Sequence, residues 1–116
     1  MNGAMSNLLW LLVAGQSPAI PAPPPPPDLE VVGRLRNLRW EHVDDPEDLL
    51  GHGWATAEFR ISRVLRGRAP SRLITIRYFG HTYLTDRHPI RLRLRANGNG
   101  IYLVCARPGR EGVVCR

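Results

Sequence analysis

The feature that most narrows the fold is a two-residue apolar rhythm that returns along the chain, with no long helical pattern beside it. It is longest in residues 54–67, WATAEFRISRVLRG. There Ala57, Phe59 and Ile61 fall on one side, and Thr56, Glu58, Arg60 and Ser62 on the other. That alternation is the mark of a half-buried strand. The neighbours Val64 and Leu65 are both apolar and break the rhythm. A bulge near Ser62 and Arg63 accounts for the slip and bends the strand sharply.

Shorter segments repeat the pattern. Residues 29–40 form a first strand, in which Val31, Gly33 and Leu35 alternate with Val32, Arg34 and Arg36. Glycine inside it marks a bend of the kind small barrels need at corners. Residues 72–79 set Ile74, Ile76 and Tyr78 against Leu73, Thr75 and Arg77. Residues 90–96 set Ile90, Leu92, Leu94 and Ala96 inside and Arg91, Arg93 and Arg95 outside. Between the first two strands lies DDPEDLLGHG. Asp45 suits an N-cap and Pro46 a first helical position, so residues 46–50 are expected to make one short helical turn. A turn falls at residues 67–70 and an irregular connection at residues 81–89.

Asn97, Gly98, Asn99 and Gly100 close a hairpin, glycine and asparagine supplying the positive φ. A two-residue loop at Gly98 and Asn99 sets Leu94 opposite Leu103, Leu92 opposite Cys105, and Arg95 opposite Tyr102. A last hairpin turns at residues 108–112 and brings Cys105 opposite Cys115. Facing residues on antiparallel strands lie within disulfide reach, so the two cysteines are expected to form a bridge; two small buried thiols are the other reading. Short strands without a long helix point to a small all-β barrel or sandwich, and closure removes the open edges.

The strand series VVGRLRNLR, ATAEFRISRVLRG, LITIRYFG and IYLVCA resembles OB-fold domains of the netrin-like and metalloproteinase-inhibitor-like kind. Arg66 and Gly67 stand where that pattern has Lys-Gly, and Tyr102, Leu103 and Val104 match its late strand. The chain also resembles small bacterial envelope proteins that share this pattern. The resemblance implies an antiparallel OB-like barrel of five or six strands over residues 29–116. It does not carry over protease inhibition, because those inhibitors insert an N-terminal cysteine into a zinc site and no cysteine here precedes Cys105.

Ahead of the barrel, residues 1–17 hold the apolar run NLLWLLVA. It is too short to span a bilayer, which takes about 20 apolar residues. Its length and the following small residues suit a signal peptide, although residues 1–6 carry no positive charge; a disordered apolar N-terminus is the alternative. Residues 18–28 are proline-rich and form a stiff polyproline II spacer or a ligand for a proline-binding domain. Export to the periplasm or outside the cell follows from the signal reading and agrees with the cysteine pair.

All 16 cationic side chains are arginines and the net charge is +6. That charge favours an anionic partner. The outward row Arg91, Arg93 and Arg95, extended by Arg77 and Arg60 and faced by Tyr102, is the candidate binding surface. OB-folds bind single strands through such basic stripes and stacking aromatics. A solvated sheet face is the plainer reading of the same alternation. The histidines His42, His52, His81 and His88 show no metal-ligand spacing, and no phosphate loop or nucleophile elbow is present,. The expectation is therefore a non-enzymatic binding module with no cofactor and no metal. Its partner would be a protein or an anionic envelope polymer, with single-stranded nucleic acid as the alternative.

Overall fold

The computed structural model describes residue 20 and residues 22–116; the expectations for residues 1–17 lie outside the described residues. Five strands are formed: β1 Leu29–His42, β2 Gly53–Arg66, β3 Leu73–Gly80, β4 Ile90–Ala96 and β5 Ile101–Val104. They close into a barrel in the order β1-β2-β3-β5-β4, with β4 returning to β1. This is the expected small all-β, OB-like barrel. One pairing departs from a wholly antiparallel sheet, since β3 and β5 run parallel. The connection after β3 carries the chain across the barrel, so β4 docks on β1 and leaves β5 to fill the remaining gap.

The alternating side chains sort as their spacing dictates. Leu29, Val31 and Leu35 of β1, Ala57, Phe59 and Ile61 of β2, Ile74, Ile76 and Tyr78 of β3, and Leu92 and Leu94 of β4 are buried in one cluster. Phe59 is the largest of the fully buried side chains, and small Ala55 and Ala57 beside it let so narrow a barrel close,. Ala96 ends exposed, since β4 runs out there.

Bulges supply the curvature. The β1–β2 register slips where Val32 faces Arg63 and Gly33 faces Ile61, which leaves Ser62 as the extra residue, where the broken rhythm places it. Its hydroxyl donates to the Val32 carbonyl at 2.9 Å. Further slips leave Leu65 and Leu38 without Cα partners. Gly33 is buried at the tightest point: a Cβ there would collide with the Arg60 carbonyl and lie 2.9 Å from the Phe59 ring.

Residues 46–50 do not form the expected helical turn; they make two successive turns. Aspartate side chains take the amides that a helix would need. Asp45 Oδ1 accepts from Glu47 N, and the Asp48 carboxylate accepts from Gly51 N and His52 N,. Leu49 and Leu50 are exposed, so no apolar face holds a helix in place,. The 81–89 connection is tied down by Tyr78, whose hydroxyl donates to Asn37 Oδ1 at 2.6 Å and accepts from Leu84 N at 2.9 Å. Asn37 Nδ2 completes the ring by donating to the Leu84 carbonyl. Burial pushes the Tyr78 phenol up from its ordinary pKa,.

Two expectations near the C-terminus are corrected. The β4–β5 loop has three residues, with Asn97 N bonded to the Ile101 carbonyl and positive φ at Gly98 and Gly100. The register is therefore one residue off: Leu94 faces Val104 and Arg95 faces Leu103. The last segment is not an antiparallel hairpin either; the tail meets Cys105 through an isolated parallel bridge at Val113. Even so, Cys105 and Cys115 form a disulfide, with Cα atoms 5.4 Å apart, because the turn at residues 107–110 folds the tail back.

The proline segment is docked at its end. Pro27 is buried, the Pro26 carbonyl accepts from Arg95, and the Pro25 carbonyl accepts from Arg116 N at 2.8 Å. Two stability tests follow. Gly33→Ala should cost about 3 kcal/mol by chemical denaturation, through forced backbone displacement. Cys115→Ala should cost about 2–3 kcal/mol, the closure entropy of a short loop.

Candidate binding face

The structure divides the expected arginine surface. Arg91 and Arg93 turn toward β1, where Glu30 lies 2.7 Å from Arg91 and 3.8 Å from Arg93. The hydrogen bond from Arg91 holds the Glu30 carboxyl below its ordinary pKa,. Arg60 stands opposite Arg34 across β1 and β2 and makes no ion pair among the described residues. Arg77 and Arg95 share a different row, flanking Leu103 across β3, β5 and β4. Tyr102 does not join the arginines. The one-residue shift of register turns it inward, where it faces Ala96 and packs against the core.

An aromatic face that the sequence reading did not assemble lies beside Arg77. Trp54 and Phe79 are cross-strand partners on the outside of β2 and β3, with ring centroids 5.4 Å apart. The Arg77 guanidinium sits over the Trp54 ring at 5.2 Å, a cation–π contact,. His52 stacks on Phe79 with centroids 5.2 Å apart and ring planes nearly parallel, and His81 meets His52 edge-on. His52 is oriented from behind: its Nδ1 donates to Asp48 Oδ2 at 2.7 Å. The backbone amide of His52 bonds the same carboxylate and is the main reason Asp48 sits below its ordinary pKa. The two tryptophans that flank the long loop part company. Trp40 packs against the core and meets Tyr83 edge-on, whereas Trp54 stays on the outer face.

A shallow depression of about 440 Å³ opens between Trp54 and Phe79 and the tail residues Glu111, Gly112 and Val113. In the adjoining row, Thr56 Oγ1, Arg77 Nε and Arg95 Nε are buried without a hydrogen-bond partner. Buried polar atoms left unsatisfied are uncommon and costly, and here they border an open aromatic surface. Glu41, 3.7 Å from Arg77 Nη2, only partly offsets that charge. The arrangement can stack a flat group on the rings and hold a negative charge at Arg77. Among the described residues, no group of three or more His, Cys, Asp or Glu side chains could hold a metal ion, and no helix is long and apolar enough to cross a membrane.

The signal for this face was present in Trp54, Arg77 and Phe79, which share the outward parity of two strands. Bringing them together needs the β2–β3 register, and the irregular loop at residues 67–72 does not fix it. Comparison with protein-family models, curated protein sequences and solved structures finds no match to the chain.

Because Glu30 and Asp48 are held below their ordinary pKa values, their contribution to stability is complete above the carboxylate range. It is lost as pH falls through that range and the folded protein takes up the protons last. Glu30→Gln should therefore destabilise the protein near neutral pH. The gap from the parent, measured by urea denaturation, should narrow steadily as pH drops below the ordinary glutamate range.

Proposed function

We propose that the chain is a non-enzymatic binding module whose ligand is an anionic envelope polymer built of sugar rings, recognised on the Trp54–Phe79 face. The observation that carries this reading is the Arg77 guanidinium over Trp54, beside Phe79 on the outer face. Aromatic planes accept sugar rings, and the adjacent cation accepts a carboxylate or phosphate. The depression is open and shallow, which suits a length of polymer better than an enclosed small molecule,. Export, with residues 1–17 as a signal and the proline stretch as a spacer, belongs to the same proposal. The Cys105–Cys115 bridge supports an oxidising compartment,. The netrin-like resemblance supports kinship with OB-fold modules that bind macromolecules.

A second reading, single-stranded nucleic acid, is favoured by one observation: the rings and Arg77 lie on β2 and β3, the face through which OB-folds take oligonucleotides,. Titration with polygalacturonate and with labelled oligothymidylate over a salt series separates the two. The first reading expects polygalacturonate binding that weakens about tenfold in Trp54→Ala, the loss of one stacking contact. Oligonucleotide binding with a steep salt slope, and none of the polysaccharide, would establish the second. Binding of neither probe, or binding untouched by Trp54→Ala, rejects both.

A further inference from the structure

A second surface lies at the opposite end of the barrel and takes no part in the aromatic face. Past Arg60, β2 loses its β3 neighbour. The last paired residues are Arg60 and Leu73, followed by one hydrogen bond from Ile61 N to the Arg72 carbonyl. Residues 63–66 stay on β1, through Arg63, Val64 and Arg66, but have no partner on the β3 side, where the 67–72 loop turns back. Between the two is a depression of about 470 Å³ whose lining includes Ile61, Val64 and Ala69 together with Arg63, Arg68 and Arg72. None of those three arginines makes an ion pair among the described residues. Val64, Leu65 and Leu73 are exposed by 41%, 39% and 48% in the same region.

We propose that this hairpin tip docks on an anionic phospholipid surface, with the arginines on headgroup phosphates and Val64, Leu65 and Leu73 entering the acyl boundary. Two chemistries meet here that water alone does not reconcile. Unpaired arginines call for anions, and exposed aliphatic side chains call for an apolar phase. A bilayer surface supplies both within a few ångströms, and arginine can reach from the apolar layer back to the phosphates. A nucleic-acid backbone would satisfy the arginines but leave the leucines in water, and aliphatic side chains offer no ring for a base to stack on. The chain's own course agrees. The proline segment joins the barrel at Asp28, whose carbonyl abuts Gly67 at the base of this loop. The tether and the tip therefore share one end of the barrel.

The test is sedimentation of the full chain with vesicles of phosphatidylcholine alone or with phosphatidylglycerol added. The apolar N-terminus can itself partition, so the readout is the difference between parent and variant. The triple change Arg63→Gln, Arg68→Gln, Arg72→Gln should lower partitioning onto phosphatidylglycerol vesicles by about a hundredfold. Far-UV circular dichroism of the variant checks that the barrel remains intact. Leu65→Trp should add an emission component that shifts to the blue with those vesicles and stays put with phosphatidylcholine alone. Trp54→Ala should leave vesicle binding unchanged, which keeps this proposal separable from the aromatic face. Equal partitioning of parent and triple variant overturns it, as does a Leu65→Trp emission that phosphatidylglycerol does not move. Loss in the triple variant of oligonucleotide or acidic-protein binding, with vesicle binding retained, overturns it as well.

Discussion

Glu30, Val31, Val32 and Gly33 of β1 are held on both edges, by β2 on one side and β4 on the other. Everything else in the barrel follows from that double pairing. A strand gripped on two sides must bend steeply, and Gly33 sits where it bends because no side chain fits between the Arg60 carbonyl and the Phe59 ring,. Once β4 is committed to β1, the only open edges belong to β3 and β4, and β5 closes them. That closure sets Arg95, Leu103 and Arg77 side by side. Closure thus decides which arginines become neighbours.

The surface charge is organised by where acids are missing. On the β4–β1 side, Glu30 and Asp28 answer Arg91, Arg93 and Arg95, so the most regular arginine row is largely neutralised. Surface pairs of this kind contribute little to stability. They do determine which cations remain free for a partner. Arg63, Arg66, Arg68 and Arg72, at the far end of β2 and in the loop that follows, make no ion pair among the described residues and stand among apolar side chains. Arg77 is an intermediate case, shared between Glu41 and the Trp54 ring.

Strand positions, inward residues and the Ser62 bulge could all be read from the sequence, because alternation and its interruption are local signals. Strand partnership was less legible. Two glycines with positive φ in residues 97–101 turned a two-residue loop into a three-residue one, and that single step moved Tyr102 from the outer face to the core. The helical turn at residues 46–50 failed for a related reason. Asp45 and Asp48 look like helix-starting residues in a sequence, but here their carboxylates bind amides within the turns. The cysteines were paired correctly from an incorrect hairpin; the tail returns through turns and not as a strand. The Trp54, Arg77 and Phe79 face is a product of register between strands and leaves no mark in either strand alone.

The hydrogen bond from Arg116 N to the Pro25 carbonyl brings the chain after the last turn back beside the segment that leads into β1. A unit entered and left at neighbouring points occupies almost no length along a polypeptide. It can be inserted into a surface loop of a host protein, or relinked head to tail and reopened elsewhere, without forcing its staves apart.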